Sequence, residues 1–355
     1  MHAEAVEVAK PRILSIGTAN PPDRYTQREI LDRMPAAHPK IEQIFLNSHI
    51  DTRHLYLPDM SKADYIEESN QTLLNRHRNG ALEIGPQAIE RCLEPMGLAV
   101  EDIDFLVCIS STGYLCPGIT AHLIRKMGFR PDVHRVDILG MGCNAGMNGL
   151  NTVASFCRAN PGKLALMVCV EVCSAAYVVN ADLVTGVVNA LFGDGCAAVL
   201  LTAGEDGNSE AGPQIHGFVS HIITDGIDTM RFDLDGAKLS FFLDKNIPYV
   251  IGGNIRIPVE ALLKRHGLKK RQIKHWVVHS GGKKVIDSIK YNLDLTSHDL
   301  RHTETVLRDY GNLSSGAFLF SFKSLADEGT PKPGDWGVAI AMGPGASIET
   351  ALLRW

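Results

Sequence analysis

Three polar residues of this chain, each set in a glycine-marked turn beside an apolar segment, have the side chains that acyl transfer requires: Cys143, His279 and Asn312. The stretch Gly140-Met141-Gly142-Cys143-Asn144-Ala145-Gly146 follows a predicted strand and opens a predicted helix. A thiol placed there meets unpaired amides and the helix dipole, which favour a thiolate nucleophile; a small cysteine buried in a tight turn fits the same pattern. His279 ends the apolar run Trp276-Val277-Val278 and precedes Ser280-Gly281-Gly282-Lys283-Lys284, a strand end that can face a cleft. It is one of 14 histidines, most of which must be solvated or structural. Asn312 lies in Asp309-Tyr310-Gly311-Asn312-Leu313-Ser314-Ser315-Gly316, ahead of a small-residue helix start where a helix cap is the competing role. Taken as a set, the thiolate attacks a thioester, the imidazole stabilises it as an ion pair, and imidazole and carboxamide donate to an oxyanion or enolate. Phe192-Gly193-Asp194-Gly195 and Gly343-Pro344-Gly345 are the turns expected to frame such a site.

The elements that must position these residues read as alternating strands and helices. Strands are expected over Arg12–Ile16, Phe105–Ser110, Arg135–Ile138, Leu164–Val170, Ala197–Leu201, Trp276–His279 and Gly337–Met342. Being apolar on both faces, they suit buried central strands better than one-sided antiparallel ones. Helices are expected over Gly80–Met96, Thr120–Met127, Gly146–Ala159, Lys283–Asn292 and Ser314–Glu328. The alternation means a layered α/β fold. Ala203–Gln214 is the most loop-like interior stretch, so the chain divides into residues 1–212, with the cysteine, and 213–355, with the histidine and asparagine.

Length and composition bound the rest. A chain of 355 residues is suited to two fused units, and 45% hydrophobic with 21% charged residues excludes a disordered tail, a collagen-like rod or a disulfide mini-scaffold. The formal charge of −5 supplies no global positive field for nucleic acid. The apolar run Leu164–Val179 is short for a membrane span and carries Glu171 near its centre. Met1–Pro11 has no basic region ahead of a long apolar stretch, so a cytoplasmic protein is expected. All eight cysteines fall between Cys92 and Cys196 without paired knuckles, which predicts reduced thiols. Cys169 and Cys173 read as packed thiols rather than metal ligands, and the first strand has no dinucleotide fingerprint after it, so no bound cofactor is expected.

The motifs, in order along essentially the whole chain, resemble the type III polyketide synthases, the chalcone-synthase-like branch of the thiolase fold. They are the turn at Cys143, LFGDG at Leu191–Gly195, HSGGKKVID at His279–Asp287, VLRDYGNLSS at Val306–Ser315 and MGPGASIET at Met342–Thr350. The resemblance implies an αβαβα layered fold of two similar halves related by a pseudo-two-fold. It implies Cys143 as nucleophile with His279 and Asn312 completing a triad. It places Phe241 as a gatekeeper, Ala176 where chalcone synthases usually hold Thr, and Cys116 where they reach a Met across a homodimer. Phe192, Gly281, Gly282, Lys283, Lys284 and Ser314 are further substrate-contact candidates in these motifs. Asn144 stands where chalcone synthases carry Phe, and Asn47 in a usual Lys place of the CoA-binding cluster, in which Lys40 is matched; Lys283, Lys284 and Arg308 are the other cationic candidates.

SSTGYLCPG, GMGCNAG and GNLSSG are most similar to the bacterial 3,5-dihydroxyphenylacetyl-CoA synthase group. That implies malonyl-CoA as starter and extender, about four units condensed, an aromatic acyl-CoA product and a dehydratase-like partner in antibiotic assembly. Other malonyl-CoA-using synthases of tetrahydroxynaphthalene or phloroglucinol type, and an initiating ketoacyl synthase, share the core motifs. A papain-like peptidase and a non-catalytic acyl-CoA-binding protein are the readings from other classes.

Overall fold

The computed structural model describes residues 9–34, 39–58, 68–176, 183–204, 212–235 and 238–355. The first half runs β1 (Pro11–Ala19), β2 (Arg24–Thr26), α1 (Gln27–Arg33), α2 (Pro39–Leu46), β3 (Thr52–His54), α3 (Asn70–Leu93), β4 (Phe105–Ile109), α4 (Ile119–Met127), β5 (His134–Ile138), α5 (Ala145–Ala159), β6 (Ala165–Glu171), α6 (Leu183–Leu191) and β7 (Gly195–Ala203). The second runs β8 (Gln214–Ile222), β9 (Met230–Asp235), β10 (Lys238–Leu243), α7 (Ile247–Asn254), α8 (Arg256–Arg265), β11 (Ile273–Val278), α9 (Lys283–Leu293), α10 (Arg301–Tyr310), α11 (Ala317–Glu328), β12 (Trp336–Gly343) and β13 (Ser347–Arg354).

Nine strands form one sheet in the order β11-β12-β13-β8-β1-β7-β6-β4-β5. It consists of two half-sheets joined where β1 meets β8 at the single pair Arg12↔Gln214. The halves repeat one topology. In the first, β1 is antiparallel to β7, β7 to β6, and β6 is parallel to β4. In the second, β8 is antiparallel to β13, β13 to β12, and β12 is parallel to β11. The strand-then-helix alternation predicted from sequence is present, and β4, β6 and β12 are buried on both faces as expected, whereas Arg135–Ile138 lies in β5, an exposed edge strand rather than a buried central one. Burial on both faces comes from helices above and below, and apolar composition reports that cover rather than strand direction.

The middle layer explains the composition of its helices. α5 touches β4, β6 and β7 of one half-sheet and β12 and β13 of the other, and α11 touches β1 and β7 as well as β11 and β12. A helix between two sheets must be apolar all round. Accordingly Ala317 through Phe322 of α11 are six consecutive buried residues, and α5 buries Ala145, Gly146, Met147, Gly149, Leu150, Val153, Ala154 and Cys157. α3 covers the outer face at β1, β6 and β7, and α8 covers β8 and β13. The shared core holds residues of both halves, among them Val107, Met167, Phe318, Phe322, Ala339 and Leu353.

The apolar run entered from Leu164 is β6 to Glu171, followed by a short 3-10 turn over Cys173–Ala176. The last three residues of that run, 177–179, with 180–182 after them, most of the Ala203–Gln214 loop and Met1 to residue 8 lie outside the described residues. No helix among the described residues is long and apolar enough to cross a membrane. All eight cysteines are free thiols, seven of them buried.

The middle layer permits no extra volume at its glycines. A Cβ on Gly146 would stand 2.2 Å from the Ser315 carbonyl oxygen, whereas one on Gly253 in α7 would meet nothing within 4 Å. Gly146→Ala is therefore expected to destabilise the fold by about 3 kcal/mol through overpacking, and Gly253→Ala to stabilise it by about 0.5–1 kcal/mol. Thermal and denaturant unfolding of the two variants checks both signs.

Candidate active site

The site assembles beyond the carboxyl ends of the parallel strands, where open α/β sheets bind ligands. β4 ends into Ser110–Thr112, β5 leads to Cys143, β6 to Cys173, β11 to His279 and β12 to Gly343. Small residues let these turns interlock. A Cβ on Gly142, whose φ is +70°, would meet the Pro344 ring at 2.4 Å, and one on Gly343 would meet Asn144 Oδ1 at the same distance. Asn144 Nδ2 donates to Ser347 Oγ at 3.1 Å, and Ser347 Oγ donates to Glu349 Oε1 at 2.8 Å. The cysteine turn of the first half is thereby tied to β13 of the second.

Cys143 sits in a 3-10 turn, Gly142–Asn144, immediately before α5. Its thiol donates to Ser314 Oγ at 3.5 Å. Asn312 Oδ1 accepts from the Ser314 backbone N–H at 2.8 Å. That bond fixes which way the carboxamide points and leaves Nδ2 as its free donor end. The capping role and the chemical role read from sequence thus coexist, one for each end of the amide. Ser314 occupies the left-handed region at φ +49°, a strained conformation of the kind that clusters at functional sites. A bridge between Phe192 and Asn312, with Asn312 N–H donating to Leu191 O at 2.9 Å and Gly193 N–H to Asn312 O at 3.0 Å, holds the asparagine against the LFGDG turn.

His279 follows β11, is 1% exposed, and donates its backbone N–H to Ile340 O at 2.9 Å. Its Nδ1 is buried without a hydrogen-bond partner. Gly281 packs against the ring, since a Cβ there would stand 3.2 Å from Cδ2 and 3.4 Å from Nε2. The structure thus links Cys143 to Asn312 through Ser314, while His279 reaches neither through a hydrogen bond among the described residues. Cys143 nevertheless packs in the apolar cluster of the second half, with Phe192, Phe241, Val278 and Met342.

Burial governs the charges. It pushes the Cys143 thiol up to about 12, against the lowering contributed by the Ser314 hydrogen bond, and pushes His279 down to about 4. The thiolate expected from the helix start is opposed by desolvation of a fully enclosed sulfur.

A small, partly open apolar pocket lies beside the thiol, lined by Ser111, Thr112, Cys143, Cys173, Ala176, Val188, Phe192, Phe232, Phe241 and Ser314. Phe192 stands edge-on to Phe241 with centroids 5.5 Å apart, and the Phe232 ring lies tilted 4.8 Å from Phe241. Of the residues singled out from sequence, Ala176, Phe192, Phe241 and Ser314 are therefore on the wall with Cys143. His279, Asn312, Gly281, Gly282, Lys283, Lys284 and Cys116 are not among its lining residues. Gly282 caps α9, Lys283 pairs with Asp287, Lys284 is exposed, and Cys116 is an exposed thiol on the loop between β4 and α4. Arg308 bonds Asp309 with two nitrogens, at 2.7 and 2.8 Å.

Sequence reasoning missed Ser111, Thr112, Cys173, Val188 and Phe232 on the wall, and Glu171 behind it. Glu171 is fully buried, accepts from Ser315 Oγ at 2.5 Å and from the Ser111 N–H at 2.9 Å, and burial raises its pKa. The available signal was a lone acid inside an apolar strand, which a core tolerates only when hydrogen-bonded.

The chain matches the family model for the N-terminal domain of chalcone and stilbene synthases over residues 5–205 and that for the C-terminal domain over residues 214–355. It belongs to the chalcone and stilbene synthase family. The family's proteins include a 3,5-dihydroxyphenylacetyl-CoA synthase of Amycolatopsis balhimycina, 49% identical over 97% of this chain and 93% of that one. The synthase of the same name from Streptomyces toyocaensis is 49% identical over 98% and 90%. A 1,3,6,8-tetrahydroxynaphthalene synthase of Streptomyces peucetius subsp. caesius is 32% identical over 97% and 93%. Among solved structures, PKS-I of the brown alga Ectocarpus siliculosus superposes with a TM-score of 0.90 at 29% identity, covering 99% of this chain and 100% of that one. The tetrahydroxynaphthalene synthase of Streptomyces coelicolor, a bacterial type III polyketide synthase, gives 0.89 at 28%, covering 97% and 99%. The chain is thus a type III polyketide synthase, an acyl-transferring, condensing enzyme of thiolase-like fold.

Ser314 is the thiol's hydrogen-bond partner, so Ser314→Ala should raise the Cys143 pKa further. Alkylation of Cys143 by iodoacetamide at fixed neutral pH is then expected to slow about 2- to 10-fold. Its pH midpoint should move upward, read by mass spectrometry of the Cys143 peptide.

Proposed function

We propose that this enzyme condenses about four malonyl-CoA units and cyclises the chain to 3,5-dihydroxyphenylacetyl-CoA. The observation that carries this reading is the 49% identity, over nearly the whole chain, to synthases of that name, against 32% for a tetrahydroxynaphthalene synthase.

In the proposed reaction Cys143 loses its proton to His279, attacks the thioester carbonyl of an acyl-CoA and expels the CoA thiolate, which takes the proton back. A further malonyl-CoA then loses CO₂. The enolate left behind accepts hydrogen bonds from Asn312 Nδ2 and from His279, and its carbon attacks the Cys143 thioester. The new carbon–carbon bond forms as the sulfur leaves, and the lengthened chain, now a CoA ester, is reloaded onto Cys143. Decarboxylation supplies the driving force, and the steps are redox-neutral, so no bound redox cofactor is required. The free Nδ2 end of Asn312 and the unpartnered Nδ1 of His279, both on buried side chains, support this assignment, because donors act most strongly on a developing oxyanion where water is excluded.

We further read the enzyme as a cytoplasmic homodimer that works beside a dehydratase-like partner in antibiotic assembly. The edge strand β5 and the loops after β4 and β5 support a self-contact, because they leave Tyr114, Cys116, Val136 and Met141 exposed. In a dimer Cys116 would meet the partner's cavity.

Cys143→Ala should abolish chain extension while malonyl-CoA still yields CO₂, and Asn312→Ala should cut CO₂ release on the order of 10²- to 10³-fold. Elongation by Cys143→Ala would remove the nucleophile assignment. His279→Ala should shift half-maximal alkylation of Cys143 to higher pH, because burial then acts on the thiol without a proton acceptor. Mass spectrometry of products from malonyl-CoA alone, before and after thioester hydrolysis, tests the product. A tetrahydroxynaphthalene skeleton would favour the rival synthase.

A further inference from the structure

α6 ends at the active site, and its last carbonyls are held by three side-chain or backbone donors from distant parts of the chain. Helix termini leave four carbonyls without intrahelical partners, and a buried end must find others. Val188 O accepts from the Phe192 N–H at 3.3 Å. Asn189 O accepts from Arg53 Nη1 at 2.7 Å, Ala190 O from Gln27 Nε2 at 2.8 Å, and Leu191 O from the Asn312 N–H at 2.9 Å. Arg53 Nη1 also reaches Phe192 O at 2.6 Å, and its Nη2 donates to Gln27 Oε1 at 2.6 Å.

Arg53 is fully buried on β3, and Gln27 is 4% exposed at the start of α1. The arginine stem runs beneath the turn that carries Asn312, where a Cβ on Gly311 would stand 2.8 Å from Arg53 Cδ. A guanidinium at a helix C-terminus is favoured by the dipole, and its planar fork serves several carbonyls at once, which an ammonium does not. The two residues capped in this way with α6 are Phe192 on the cavity wall and, through the Phe192–Asn312 bridge, the asparagine.

We propose that Arg53 is a positioning residue of the condensation: its buried guanidinium, braced by Gln27, caps α6 and fixes Phe192 and Asn312 in register with Cys143. The proposal rests on the assignment of Asn312 to enolate stabilisation. Arg53 touches no reacting atom and acts through the turn.

Arg53→Lys keeps the charge and loses the fork. Turnover of malonyl-CoA is measured per alkylatable Cys143, so that unfolded protein is not counted. Amide hydrogen exchange is followed at Asn312 and Gly193, whose N–H groups make the bridge. The expected result is a fall in kcat on the order of 10- to 100-fold with KM little changed. CO₂ release should fall in parallel, and exchange should quicken at those two amides but not in β4. Wild-type turnover per site, or unchanged exchange at both amides, overturns the proposal. A purely structural role would lower the number of alkylatable sites and leave kcat per site intact. Should Arg53→Lys fail to fold, Gln27→Leu removes the brace and one cap while keeping the arginine, and the same two readouts decide. Absence of CO₂ release by the wild type would sink the functional reading instead, and the exchange result alone would then decide the positioning claim.

Discussion

Backbone-to-backbone contact between the two halves sets the spacing of everything in the site. With only hydrogen on Gly146, α5 approaches the Ser315 carbonyl closely enough for Cys143 at its start to meet Ser314. Gly142 against Pro344, and Gly343 against Asn144, repeat the device on the other side of the thiol. These contacts are short because no side chain intervenes, and they leave little freedom in where sulfur, hydroxyl and carboxamide sit relative to one another.

The same closeness removes water, and with it the solvation of charge. A thiol and an imidazole held in the dry junction are each driven toward neutrality, upward for Cys143 and downward for His279. The carboxamide of Asn312 is pre-oriented by the Ser314 N–H and bears no charge to desolvate, so it suits a role that requires donation without proton transfer.

The doubled topology explains how residues far apart in the chain converge. Each half sends its parallel strands toward the same end of the sheet, so β4, β5 and β6 deliver Ser111, Thr112, Cys143 and Cys173 to the place where β11 and β12 deliver His279 and Gly343. The β9–β10 hairpin then closes the apolar side with Phe232 and Phe241, set against Phe192 from the end of α6.

Local chemistry made part of this legible in the amino-acid order. Seven strands of the large sheet read directly from short apolar runs, and the glycine turns around Cys143, His279 and Asn312 marked the points where a chain must bend sharply or approach another closely. β8 and β13 escaped because each mixes polar residues with apolar ones; Glu349 and Thr350 are buried in β13 by partners that the sequence does not name. Strand direction was equally invisible, since burial on both faces looks the same for either pairing. The candidates for nucleophile, donor and base stand out in the sequence by residue type and glycine-marked turns, so the sequence determined their type and local setting, the roles coming from the resemblance to the family. The three-dimensional packing decided what no neighbour in the chain can specify: the strained Ser314 between thiol and carboxamide, the desolvation of Cys143 and His279, the buried Glu171, and an arginine more than a hundred residues away capping the helix that ends at the site.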